Sequence, residues 1–464
     1  NVYNVAIGKN AGFAVTTGTN NTLIGGLAGD AITDADGNIA VGSLALSANT
    51  VGSSSVAIGY AALATQNPAS ATAMYNTAVG ASAGTAITTG IRNIIMGGLA
   101  GDALTDADFN IGIGHQSLTA DTKGSKSTAV GYRTLANQNF STSTDSHNTA
   151  IGNDAGLSVT TGVENTIIGG AAGDALTDAD FNVAVGTYAL TTDTLGSKST
   201  AIGAAALNKQ NFGTATDSHN TAVGFSAGKE VTTSVYNTLV GGLAGDALTT
   251  GGYNVVVGAG ALSGEDTGRK NVAVGAYALS VQNGDADNHN TAVGYFAGGA
   301  VTTGTLNTLV GSLAGDAVNT GTGNVALGVS ALGATTTGSY NIALGTQALD
   351  SNVSGSHNIG IGFATVDGDT LGSKSIGIGG FALGTQNFTT ATDAHNVAVG
   401  YNTGGLITTG VNNTLIGGLA GDAITDADSN VAVGYGSLTT NVLGSRSVAV
   451  GQGSLSDQNP ASAT

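Results

Sequence analysis

The chain has no cysteine and no tryptophan, only two prolines, Pro68 and Pro460, and 9% charged residues in 464 positions. Without cysteine there are no disulfides and no thiolate metal sites, a usage that suits an extracellular protein but leaves the compartment open. Basic residues are scarce: 12 Lys and Arg stand against 30 Asp and Glu, for a net charge of -18. That balance disfavours an electrostatic grip on nucleic acid or on an anionic membrane. No apolar run is long enough to span a bilayer, and no basic segment followed by an apolar one opens the chain. Aromatics are 5%. What is abundant is glycine, at 76 positions. The profile is unlike a helical enzyme and unlike a disordered acidic tail, and it favours small-residue β structure.

The chain is a tandem repeat. The word N-x-φ-φ-G, with φ apolar, opens a new unit at 4, 21, 38 and 55, then at 76, 93, 110 and 127, and so on to 447, giving 26 units in blocks that start at 4, 76, 148, 220, 290 and 396. The steps are 17, 17, 17 and 21 residues, except for a 19-residue fourth unit before 290 and a last full block longer by two whole units. Insertion by whole units makes one coil of about 17 residues the structural quantum, with the longer fourth coil carrying a surface loop at one corner. The fifth position is glycine in all 26 units, which implies a positive φ or a close backbone approach. The first is asparagine in 21 units and serine in five (Ser55, Ser127, Ser199, Ser375, Ser447). Stacked coils would place these side chains in a hydrogen-bonded ladder. Turn geometry alone would also favour asparagine there.

Between these positions lie words such as "TAVG" and "TLIG", β-branched and too short for a helix, which predict strands of four or five residues. A second apolar pair at positions eight and nine, such as Ala83 and Gly84 or Ala189 and Leu190, predicts a second short strand per coil. The expected fold is therefore all-β, a parallel β-roll or β-solenoid with a rise of about 4.8 Å per coil. Neither strand face carries charge, so both are expected to be buried, the outer one by self-association around a common axis. The chain starts at Asn1 without methionine and ends on "DQNPASAT", which repeats, but for its first residue, the run at 65 to 72 late in the fourth coil and stops before the next unit, and it is expected to be a piece of a longer fibre.

The tandem words "NTAVG", "NVAVG" and "SVAIG" followed by "AL" or "AG" resemble the head repeats of trimeric autotransporter adhesins, the YadA-like heads, which also occur in phage tail fibres. The resemblance covers essentially the whole chain. It implies a left-handed β-roll, three identical chains, and a non-enzymatic role in attachment, extracellular on a cell surface or in a virion tail fibre. The implied partners are two further copies and a host-cell or surface receptor, a glycan among the candidates, with no membrane insertion by this segment. The familiar head unit is nearer 14 residues, and neither stalk heptads nor a membrane barrel are seen here, which leaves the packing of the three chains and the anchoring open.

Single sites are harder to find. His147, His219, His289, His357 and His395 each precede a unit-opening asparagine, and Tyr75 holds the same place in the first block. They read as a corner residue; a metal on a threefold axis would need three or four convergent ligands. His115 falls elsewhere. Tyr60, Tyr132, Tyr295, Tyr401 and Tyr435 follow the corner glycine and could stack on sugars or shield backbone. No catalytic triad or unique carboxylate pair occurs, so an enzyme and a catalytic cofactor are not expected.

The remaining candidate is "GGLAGDALTDADFN" at 97 to 110, with near copies at 25, 169 and 417. Its D-A-D pairs, Asp34 and Asp36, Asp106 and Asp108, Asp178 and Asp180, Asp426 and Asp428, are the candidate calcium ligands. A calcium-dependent RTX-like solenoid is thus the alternative fold, with an ice-binding solenoid behind it. Against calcium, Ile111 stands where the loop needs glycine and Ser117 where it needs glutamate, and Ala100 breaks the G-G-x-G-x-D word. Two further copies keep Asp246 and Asp316 but lose the pair. Asp102 and its equivalents are therefore expected to be needed by the coil, bonding corner N–H groups, and the D-A-D pair to be an optional solvated turn.

Overall fold

The computed structural model describes residues 2–285 and 287–460, in two compact units, Asn1–Val235 and Tyr236–Thr464. Each is a parallel β-solenoid. Each N-x-φ-φ-G word becomes a three-residue strand, as in Thr77–Val79, Ile94–Met96 and Ile111–Ile113. Among the described residues there are thirteen such strands in each unit and no helix. Within each unit, every strand but the last pairs with the same residues of the next coil, Thr77 with Ile94 and Ile94 with Ile111. Across the longer fourth coils Thr128 still pairs with Thr149 and Val272 with Thr291, so the extra residues leave the register untouched.

The middle strand residue points into the coil and its two neighbours point out, as a period of two requires. Val256 is fully buried, while Val255 and Val257 are 41% and 37% exposed. Within one chain, then, the strand is buried on one face only, and the expectation of burial on both is not met by the coil itself. The pair at positions eight and nine is also not a strand. It is a turn whose ninth residue has a left-handed backbone, Gly84 at φ 57 or Leu46 at φ 52. Left-handed leucine costs roughly 1–2 kcal/mol, but burying its side chain returns about 1.5–3 kcal/mol. The conformation survives because the side chain reaches the core, where Leu46, Leu63 and Leu118 have no exposed surface.

In many coils core volume is exchanged between positions, although the first coil of a block is small at both, as at Ala78 and Gly84. Leu23, Ile95 and Ile167 at the middle of the strand go with Gly29, Gly101 and Gly173 at position nine. A Cβ on Gly101 would sit 2.8 Å from Leu104 and 3.1 Å from Ile95. Ala40, Ala57 and Ala129 instead go with Leu46, Leu63 and Leu135. The corner glycine satisfies both reasons expected of it. Gly97 has φ +134, and a Cβ there would lie 2.5 Å from the Gly114 carbonyl oxygen of the next coil.

The additional residues of the long coils leave at one corner. They form loops closed by two-residue strands, such as Gly124–Ser125 with Thr144–Asp145 and Gly196–Ser197 with Thr216–Asp217. No helix is long and apolar enough to cross a membrane among the described residues.

Candidate functional site

The asparagine column is a ladder, and it runs from side chain to backbone. Oδ1 of Asn76 accepts the N–H of Asn93, Oδ1 of Asn93 that of Asn110, and Oδ1 of Asn110 that of Ser127, each at 2.9 Å. The Nδ2 groups of the same three donate at 2.8 Å to the carbonyls of Gly90, Ala107 and Gly124 in their own coils. These side chains are buried, so each amide satisfies two backbone groups that water cannot reach. Serine is too short to do this. In the serine coils a glutamine supplies the missing reach: Gln138 Nε2 donates to Ser127 Oγ at 2.8 Å, and its Oε1 accepts from Asn148 Nδ2 at 2.9 Å.

The aspartates divide differently from expectation. Asp102 and Asp422 accept the hydroxyls of Thr119 and Thr439 one coil on, both at 2.5 Å. At the equivalent Asp174 and Asp316, burial pushes the carboxyls up, and corner N–H groups, including those of Ala175 and Ala317, pull the other way. The D-A-D pair is not uniformly optional. Oδ1 of Asp36, Asp108, Asp180 and Asp428 accepts the backbone N–H of Thr19, Ile91, Val163 and Val411 in the preceding coil, at 2.7, 2.8, 2.8 and 2.8 Å. Thr322 does the same for Thr305 with its hydroxyl, at 3.4 Å. The sequence could not show that this position lies beneath an N–H of the coil before it. The first aspartate of each pair is exposed, as is Asp36: Asp34, Asp106 and Asp426 take the hydroxyl of the threonine just before them, and Asp178 takes that of Thr161. The two carboxylates of a pair are therefore engaged by different partners. Among the described residues no group of three or more His, Asp or Glu side chains is placed to hold a metal ion.

The five corner histidines are exposed, on left-handed backbone with φ between 50 and 60. One of them, His357, stacks on Tyr340 with ring centroids 5.2 Å apart. The tyrosines after the corner glycine are exposed too, and several lie over glycine backbone of the preceding coil. The Cβ position of Gly380 is 3.6 Å from Tyr401, and that of Gly418 is 3.6 Å from Tyr435. Tyr132 stacks on His115 and carries the Arg133 guanidinium 5.3 Å from its ring centre. Beside the shortened fourth coil, Thr250, Thr267, Arg269, Asp285 and Asp287 line an open polar hollow of about 350 Å³.

The largest continuous feature is the outer strand face. Position four is Ile, Val, Leu or Met in every unit, and position two is Thr, Val or Ile, so no T-x-T word occurs on it. Stacked at about 4.8 Å, thirteen coils give an aliphatic strip of roughly 60 by 10 Å, or about 600 Å² per unit, at the upper end of what a monomer exposes. No protein-family model matches the chain, and no curated protein matches it in sequence.

Proposed function

We propose that the chain is a non-enzymatic fibre segment, extracellular or carried on a virion, in which three identical chains pack their outer strand faces together and the remaining surfaces space and present adhesive, host-recognising elements. One observation carries this reading: the outer strand face, with an uninterrupted aliphatic column at position four beside an uncharged column of Thr, Val and Ile at position two. About 600 Å² per unit is of the order that each partner contributes to a stable interface, about 800 Å². A closed ring of copies covers it without leaving a free edge. Repetition of one coil suits a spacer, since each coil contacts only its neighbours and length changes by whole coils.

Light scattering of the intact chain tests the assembly. A mass of three chains is expected, and a single-chain mass at micromolar concentration would sink the proposal. Ile151→Lys with Ile202→Lys places charge on the strip and should lower the mass, with β structure retained by circular dichroism. Adhesion has its own assay: the assembled protein is applied to immobilised glycans and to cells, and absence of saturable binding to either would leave the spacer role alone.

A further inference from the structure

Core position twelve of the coil that precedes the last coil of each block is Asp121, Asp193, Glu265 or Asp369 in four blocks, and Asn49 or Asn441 in the other two; all six side chains are fully buried. Every hydrogen-bond partner of the four carboxylates is an N–H donor. Asp193 accepts from the N–H of Gly196 at 3.0 Å, Gln210 Nε2 at 2.6 Å and the N–H of Phe212 at 3.3 Å. Asp369 accepts from the N–H of Gly372 at 2.9 Å, Gln386 Nε2 at 2.5 Å and the N–H of Phe388 at 3.4 Å. Asp121 is held likewise by Gly124 and Gln138, with the N–H of Phe140 directed at it. Glu265 takes Gly268, Gln282, Asn288 and the N–H of Gly284.

Phe140, Phe212, Gly284 and Phe388 occupy one position, the start of the corner loop of the following coil. Opposite Asn49 and Asn441 that position is Pro68 and Pro460, the only prolines in the chain. Proline has no N–H to offer. There the asparagine turns back on its own coil instead: Asn49 accepts the N–H of Gly52 and donates to its carbonyl, and Asn441 does the same with Gly444. Carboxylate with N–H, amide with proline: the pairing holds in all six blocks.

We propose that the buried carboxylate is a latch for the corner loop of the next coil, present in four blocks, proton-sensitive at Asp121 and Asp369, and replaced by a proton-indifferent amide and proline in two. An ionised carboxylate only accepts hydrogen bonds, which matches a shell made wholly of donors. A proton taken from solvent creates an O–H with no acceptor facing it, so one N–H must withdraw. The longest bonds, from the N–H groups of Phe212 and Phe388, are the ones that tether the loop. Other charged groups at these corners are Lys123, Lys126, Asp145 and His147; Lys198, Asp217 and His219; Asp266, Arg269, Lys270, Asp285, Asp287 and His289; and Asp367, Lys374, Asp393 and His395. None of them is buried. Burial holds Asp121 and Asp369 above the ordinary carboxyl range, with the glutamine and the backbone N–H groups pulling back, so protonation begins in mild acid.

Hydrogen exchange on the intact chain, corrected for intrinsic rates, tests the latch. On going from neutral pH to about pH 4.5, near the ordinary carboxyl range, loops 139–147 and 387–395 should lose about tenfold in protection, as expected for one hydrogen bond. Loop 67–75, faced by Asn49, should not change. Equal responses in both classes, or none in either, overturn the proposal. In Asp121→Asn, loop 139–147 should be loose at both pH values while loop 387–395 of the same molecule keeps its response and reports a folded array. Adding Phe140→Pro should restore loop 139–147 and abolish its pH response; failure to restore it counts against the latch.

Discussion

The Asn93 side chain accepts the backbone N–H of Asn110, one coil further on, at 2.9 Å, while donating to the carbonyl of Ala107 at 2.8 Å. Asn93→Ala strands both backbone groups in the core. At about 1–3 kcal/mol for each unsatisfied group, the loss should be roughly 2–6 kcal/mol. Because coils couple only to neighbours, the loss should be local, appearing as faster hydrogen exchange between residues 93 and 127 and fading a few coils away. Uniform loss along the whole unit would contradict it.

Adjacent glycines make a second test. A Cβ on Gly97 would lie 2.5 Å from the Gly114 carbonyl oxygen, whereas on Gly98 its nearest neighbour is the flexible His115 ring at 3.6 Å. Gly97→Ala should prevent local pairing of Ile94–Met96 with Ile111–Ile113, and Gly98→Ala should be tolerated. Comparable proteolytic resistance of the two variants would refute the argument.

The D-A-D pair should split in two. Asp108→Ala leaves the N–H of Ile91 unpaired and should cost about 1–2 kcal/mol, and Asp108→Thr should recover most of it, as Thr322 indicates. Asp106→Ala should be within about 0.5 kcal/mol of the parent. Thermal unfolding measures both, and a calcium chelator should not shift the parent. A drop of several degrees in chelator would restore the calcium reading.

Acidity should stabilise the array against global unfolding down to a limit, apart from the two latched loops. Asp174, Asp180, Asp316, Asp350 and Asp367 are all raised, with desolvation the largest cause. For a raised carboxyl the folded chain binds the proton more tightly than the unfolded one. Its contribution is full below the unfolded value and is lost as pH climbs through the folded value. Asp287 and Asp393, held low by Lys270 and Lys374, work oppositely, but their contribution fades only as pH falls below the ordinary carboxyl range. The melting temperature should therefore be higher at about pH 5 than at pH 7; the reverse order would show that desolvation does not dominate.

Deleting residues 324–357 removes two whole coils and brings Asn358 after Gly323, the same corner that Asn324 now follows. Strand Thr308–Val310 would then pair with Ile359–Ile361 in register, and β structure should survive. Deleting half a coil turns every later side chain to the wrong place and should abolish folding. Equal tolerance of the two deletions, read by circular dichroism and proteolysis, would undo the repeat assignment.

Period, strand register and the glycine corner were legible because each recurs in every coil. Whatever depends on the coil below was not. Asp108 looked dispensable because its partner, the N–H of Ile91, carries no residue-type signature. Ala83 and Gly84 looked like strand because an apolar pair does not disclose a left-handed turn. The match of Asp369 with Phe388 and of Asn49 with Pro68 was present in the letters, but it acquires meaning only once position twelve of one coil is seen to touch position fourteen of the next. The outer strand face stayed ambiguous for a related reason: absence of charge cannot say which of two faces a single chain covers.

In the first unit the corner loops at 67–73, 139–145 and 211–217 leave the same corner at intervals of four coils, about 19 Å. Whatever one loop can bind, its neighbours offer again at a fixed pitch and in one direction. A rigid ligand bearing repeated epitopes at that pitch would engage several loops without any loop needing high affinity, since each further contact is made at high effective concentration. A ligand with irregular spacing would gain nothing from the second loop. Selectivity would then reside in the interval between loops, which the number of coils per block fixes.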